Sequence, residues 1–267
     1  MDSSKTLWSL TQGNSPILAT AIHHGHHVRP DAVECMLVDS RTRLREEDPY
    51  TAELTTIVDN RLVVHHSRFE MDMNRDRNNA VYLTPEDAWG ITVWQHPVPN
   101  AVLNQSLKQY DAFYQMLQTT LNTMVRRHLK VAVLDFHSYN HHRMGPEHPF
   151  DSTLKNPEIE IGTDTMDQKF WAPVVDRFIT DLRQHDFRGR QLDVRENVKF
   201  GAGWMSQWIH NHFPQSVCTI SVELKKTYMD EWTGKLFPQV LNDYRQAFLA
   251  AVPGLIHSLK QMRHRSQ

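Results

Sequence analysis

Seven of the chain's 17 histidines fall in two short stretches, His23-His24-Gly25-His26-His27 and His137 with His141 and His142. Imidazole is the commonest protein ligand for transition metals, and a catalytic zinc usually takes three protein ligands plus water. His23 and His137 could hold one ion from two distant parts of the chain. The third ligand is open between two residues. His26 lies three positions after His23 and can reach the same ion if the chain turns at Gly25. Asp48, with Glu47 before it, offers a carboxylate instead. Neither cluster carries a His-Glu-x-x-His signature, so spacing alone does not choose. Glu223 is the candidate base. A carboxylate facing an activated water can take its proton and pass it to a leaving amine, and burial raises its pKa toward that task. The segment Ser67–Arg75 alternates polar and apolar residues. Read as an extended strand, it puts Arg68, Glu70, Asp72 and Asn74 on one face and Phe69, Met71 and Met73 on the other. An arginine held among acids suits capture of a substrate carboxylate, and a structural ion-pair network is the competing reading.

These residues need elements to carry them. Short apolar runs precede each one: Pro16 to Ile22 before His23, Lys130 to Phe136 before His137, and Val217 to Val222 before Glu223. Such runs read as buried strands. Between them, Gln105 to His128 carries Leu107, Tyr110, Phe113, Tyr114, Leu117, Leu121 and Val125 at helical spacing. Lys169 to Gln184 and Pro238 to Met262 have the same character. Buried strands alternating with long amphipathic helices predict an α/β domain with a largely parallel sheet. Ligands of such sheets sit beyond the carboxyl ends of the strands, where His23, His137 and Glu223 converge. Pro146 to Gly162 reads as a long loop able to cover a cleft. Trp204 and Trp208 share a helix face as core or pocket wall. Asn197, Gly201 and Gly203 suggest a loop that approaches a ligand closely. No repeat or linker divides the chain, which predicts one domain over residues 1–267.

Composition narrows the function classes. The 29 Lys+Arg against 31 Asp+Glu give a net charge of −2, which offers no general attraction to nucleic acid or an anionic membrane. The 40% hydrophobic and 22% charged fractions are those of a globular protein. No apolar run approaches the roughly 20 residues of a membrane span. The opening MDSSKTLWSL lacks the basic flank and apolar segment of a secretory signal, and Cys35 and Cys218 form no metal or redox motif. A cytoplasmic protein with reduced thiols is the expectation. Phosphate-binding glycine loops and nucleophile elbows are absent.

The order of motifs resembles the N-formylglutamate amidohydrolase family: Ile22-His23-His24-Gly25, Ser67-Arg68 with Asp72-Met73-Asn74-Arg75, Asp135-Phe136-His137-Ser138, and Val222-Glu223. The resemblance spans about residues 15–235, with Asp-x-His-Ser and Asp-x-Asn-Arg its most specific parts. It is similar, more distantly, to zinc carboxypeptidases and aspartoacylase-like deacylases. What the resemblance implies is a three-layer α/β/α, phosphorylase/hydrolase-like fold with a mostly parallel mixed sheet. It also implies a zinc-dependent (or other divalent-metal) amidohydrolase that splits N-formyl-L-glutamate into formate and glutamate. His23 and His137 match metal-ligand positions and Glu223 the general base. Arg68, Asn74 and Arg75 match positions that hold the substrate carboxylate and polarise the carbonyl, and Asp72 stands beside them. Tyr228, just past Glu223, joins them as a candidate substrate contact. Carboxypeptidases have Glu three residues after the first histidine ligand; His26 stands there instead, so the choice between His26 and Asp48 stays open. The expected partner is a small molecule bearing a carboxylate. A metallocarboxypeptidase-like peptidase and a non-catalytic metal- or ligand-binding protein are the alternatives.

Overall fold

The computed structural model describes residues 6–265. Among them, seven strands make one sheet: β1 (Trp8–Thr11), β2 (Ile17–Ala21), β3 (Asn60–Val64), β4 (Val131–Tyr139), β5 (Ile159–Gly162), β6 (Val194–Glu196) and β7 (Val217–Lys225). Their order is β1-β3-β2-β4-β7-β5-β6. The β1–β3 and β5–β7 pairs are antiparallel and the other four parallel, giving the expected mixed, mostly parallel sheet. The helices are α1 (Pro30–Val33), α2 (Ser40–Glu46), α3 (Thr51–Leu54), α4 (Asn100–His128), α5 (Gln168–Gln184), α6 (Trp204–His212) and α7 (Pro238–Arg265).

The central strands are apolar on both faces because helices cover both. Ala132, Leu134 and Phe136 of β4 pack with Trp171, Phe178, Phe248 and Leu255 of α5 and α7. Val131 and Val133, pointing the other way, pack with Phe113, Leu117 and Leu121 of α4 and Met205 and Ile209 of α6. Asp167 starts α5 by accepting the amide of Phe170 at 3.0 Å, which satisfies an orphan N–H of the first turn. No helix among the described residues is long and apolar enough to cross a membrane.

Two expectations need correction. Residues 67–75 do not form a strand. The Ser67 carbonyl accepts from Glu70 and Met71, and the Asp72 carboxylate accepts from the amide of Asn74, so the segment is a chain of turns. Arg68 and Asp72 therefore meet four residues apart, while Glu70 turns away to Arg29 and His66. The stretch 146–162 is likewise not a continuous loop; it ends in β5, and none of its residues borders the cleft described below. Trp204 and Trp208 do share a helix face, packed on the α4 side of the core, and the Trp204 indole donates to Tyr110 at 2.9 Å.

Candidate metal centre and substrate cleft

Along one face of β4 the residues change character. Val131 and Val133 lie in the core under α4; Asp135 and His137 follow on the same side, beyond it. The neighbouring β7 runs in register, setting Ser221 beside Asp135 and Glu223 beside His137. On the other flank, Thr20 of β2 donates its hydroxyl to Asp135 at 2.5 Å, and His23 follows two residues after the strand ends. Three adjacent parallel strands thus bring His23, His137 and Glu223 to one edge of the sheet. His137 and Glu223 stand inside longer strands than their sequence suggests, so their backbones are held by the ladder.

Asp48 completes a buried group with the two histidines. The Nδ1 atoms of His23 and His137 are 3.1 Å apart, and Asp48 Oδ2 lies 3.2 Å from the one on His137 and 3.3 Å from the one on His23. Three ligands of a tetrahedral zinc at about 2.0–2.1 Å stand about 3.3–3.4 Å from one another, so the triangle fits such an ion. The donor chemistry agrees. His23 Nε2 faces Asp72 and His137 Nε2 faces Asp135, each at 2.7 Å. A proton on each Nε2 leaves both Nδ1 lone pairs and the Asp48 carboxylate aimed at one another, three acceptors that need a cation between them. Asp48, Asp72 and Asp135 are all buried, and the Arg68 guanidinium is bonded to Asp72. With no ion, a proton takes its place: burial alone would lower the His137 pKa, but the Asp135 charge and the hydrogen bonds to Asp135 and Asp48 hold it well above the usual value. Burial works against the charged form of Asp48, yet its contacts with His137 and His23 keep it ionised well below the usual range.

A cleft of about 410 Å³ opens onto this group, bordered by Arg68, Asn74, Arg75 and Glu223 together with Trp89 and Lys199. Glu223 reaches the cleft but is otherwise enclosed, and burial pushes its carboxyl up to about 8 against the pull of His137. Arg68 spends Nε on the Tyr82 hydroxyl at 3.0 Å and one Nη on Asp72 at 2.7 Å, and it stacks on Trp89. Among the described residues the Arg75 guanidinium bonds only the Asp87 carbonyl, at 3.4 Å. Asn74 accepts the amide of Met205 at the start of α6, and a Cβ on Gly203 would fall 2.1 Å from its amide nitrogen. Gly203, and Gly201 packed on Asp164, both line the cleft wall. Asn197 instead braces Thr163 and stays outside the cleft.

Three candidate residues do not take the places expected of them. The His26 ring is bound on both nitrogens, to Glu47 at 2.5 Å and Ser40 at 2.8 Å, and is outside the ligand group. Asp72 is no substrate contact. It is fully buried, and its two oxygens already accept from His23, the Asn74 amide, Arg68 and the Tyr82 hydroxyl. Tyr228 is fully buried, gives its hydroxyl to the Pro49 carbonyl at 3.0 Å and does not border the cleft. Conversely, Trp89, Tyr82, Lys199 and Lys226 were missed. Lys199 and Lys226 stand beside residues the sequence singles out, Asn197 and Gly201 for one and Glu223 and Tyr228 for the other, but only tertiary contacts give any of the four a place here.

The model of the N-formylglutamate amidohydrolase family matches residues 15–229. The chain belongs to that family. As an N-formylglutamate amidohydrolase family member it carries a hydrolase fold whose matched span includes the whole site. A search of curated proteins finds no match. Among solved structures, the crystal structure of N-formylglutamate amidohydrolase from Ralstonia eutropha JMP134 is similar at 15% identity. It aligns over 97% of this chain and 98% of its own, with a TM-score of 0.69. A gene product of Agrobacterium tumefaciens is similar at 14% identity over 100% and 97%, with a TM-score of 0.58. At these identities the structures establish the shared fold.

Proposed function

We propose that the chain is a zinc-dependent amidohydrolase that releases formate from N-formylglutamate or a closely related N-acyl amino acid. The observation that carries this reading is the His23–Asp48–His137 triangle with Glu223 in register beside it. Family membership supports the reaction class. Zinc held by those three side chains would acidify a water and polarise the scissile carbonyl. Glu223 takes the proton of the attacking water and returns it to the amine nitrogen as the C–N bond breaks. Arg75, with no carboxylate bound to it and open to the cleft, is placed to receive the substrate carboxylate, with the Asn74 amide group beside it. Arg68, held by Asp72 and Trp89, keeps a nitrogen free for the developing oxyanion. The unpaired Cys35 and Cys218 support a cytoplasmic setting.

The test is formate release from N-formyl-L-glutamate by protein of measured metal content, beside a panel of N-acetyl amino acids and C-terminal peptides. One zinc per chain, loss of activity on chelation and recovery with zinc are expected. Glu223→Gln should retain the metal and lose about 10²–10⁴-fold in kcat. A chelated protein that hydrolyses at the full rate sinks the proposal; preferential cleavage of the peptides replaces it with the peptidase reading.

A further inference from the structure

His137 lies within β4 and His23 two residues past β2, whereas Asp48 neither sits in a strand nor directly follows one. It comes between α2 and α3, one residue before Pro49 and two before Tyr50, whose φ of 69° turns the chain sharply. Something other than the ladder must set its carboxylate to within a few tenths of an ångström of the two imidazoles.

The structure provides this from β7. Past Glu223 the chain runs through Lys226, only 1% exposed, whose ammonium donates to the carbonyls of Arg45 at 2.6 Å and Glu47 at 2.7 Å. These are orphan carbonyls at the end of α2, where a cation is favoured by the helix dipole. Two residues on, the Tyr228 hydroxyl donates to the Pro49 carbonyl. Two of these three accepting carbonyls, those of Glu47 and Pro49, belong to the residues on either side of Asp48. The peptide unit joining Glu47 to Asp48 is pinned at its other end as well, because the Asp48 amide donates to the His23 carbonyl at 2.9 Å. Its oxygen is thus fixed from the strand that carries Glu223, and its nitrogen from the segment that carries a histidine of the triangle. A buried ammonium is costly, and a merely structural cap at the end of so short a helix is a poor use of one.

We infer that Lys226 and Tyr228 form a two-point clamp that places the Asp48 carboxylate against His23 and His137, which makes Lys226 a positioning residue for the metal ligands. This rests on the reading of that triangle as a metal site. The clamp also ties ligand geometry to the strand of the base, so Asp48 and Glu223 move as one unit.

The experiment measures Co²⁺ affinity of metal-free protein by competition with a chromophoric chelator, together with the visible spectrum of the Co²⁺ form. Lys226→Met should weaken Co²⁺ binding about 10–100-fold and change the ligand-field bands. Lys226→Arg, which keeps a charged donor, should recover most of the affinity. Tyr228→Phe, which removes a single hydroxyl and guards against a folding defect in the lysine variant, should weaken binding in the same direction. In an Asp48→Asn background neither change should cost anything further. Wild-type affinity in both Lys226→Met and Tyr228→Phe overturns the clamp and leaves the metal site standing, as does a loss that persists undiminished in the Asp48→Asn background. A wild-type protein that takes up no Co²⁺ overturns the metal reading itself, and the clamp with it.

Discussion

His137, on β4, and His210, on α6, are both at most 5% exposed, and each has both ring nitrogens engaged. At His137, Nε2 faces the carboxylate of Asp135, two residues earlier on the same strand face, and Nδ1 faces Asp48 and His23. At His210, Nε2 accepts the backbone amide of Thr219 at 2.9 Å and Nδ1 meets the Thr165 hydroxyl at 2.9 Å. The Thr219 amide needs that partner because β5 pairs with β7 only from Ser221 onward, leaving the start of that edge uncovered. Burial lowers both pKa values, but only His137 has carboxylates to reverse the effect. It ends well above the usual value, whereas His210 is pushed down from 6.5 to about 4. One ring sits among carboxylates that favour positive charge beside it; the other must stay neutral to remain an acceptor.

The largest expected break in that contrast is His137→Ala. Loss of one of three ligands should remove zinc and lower turnover by roughly 10³-fold or more, several kcal/mol of barrier. His210→Ala should leave metal content and kcat/KM within about threefold, measured on the folded fraction.

Next is a pH effect that His137 does not carry and His210 does. Its folded pKa is depressed, so the unfolded chain binds a proton that the native state refuses between about pH 6.5 and 4. The contribution to stability is full above 6.5 and is lost as pH falls through that window, by about 3 kcal/mol in all. Urea unfolding of the metal-free protein at steps from pH 7.5 to 4.5, compared with a His210→Gln variant, checks it; parallel curves for the two proteins would reject the assignment.

Smaller again is Asp135→Asn. The amide keeps the shape but removes the charge that fixes the His137 tautomer. Zinc affinity should fall about 10–100-fold, or roughly 1.4–2.7 kcal/mol, with secondary structure unchanged by circular dichroism.

What distinguishes the two histidines was only partly legible in the sequence. The strands β2, β4 and β7 could be read because helices on both faces make them continuous apolar runs. The strands β1, β3, β5 and β6 are interrupted by Ser9, Arg61, Glu160 and Arg195 and leave no comparable run. His23, His137 and Glu223 were placed by those readable strands. Asp48 could not be separated from His26, because its position depends on Lys226 and Tyr228, some 180 residues away. The alternation in Ser67–Arg75 misled for a physical reason: the turns bury polar and apolar residues alike, and Glu70 and Asp72 are as enclosed as Phe69 and Met71 because Arg29 and Arg68 pair them. His210 carried no sequence signal, since its role is to satisfy one edge amide that only the assembled sheet reveals.

The smallest effect is also the most discriminating. Glutamine at 210 can offer a side-chain oxygen to the Thr219 amide where His210 offers Nε2, and it never takes up a proton. His210→Gln should therefore cost no more than about 1 kcal/mol at pH 7.5, the scale of one imperfectly replaced hydrogen bond. It should be as stable as wild type, or more so, at pH 5. The reversal separates an acceptor role from mere packing, which would make the loss equal at both pH values. The same substitution at His137 has no such compensation. Its partners there are the Asp135 carboxylate and, in the proposed site, a cation, and an amide lacks the ligand strength of imidazole for that position.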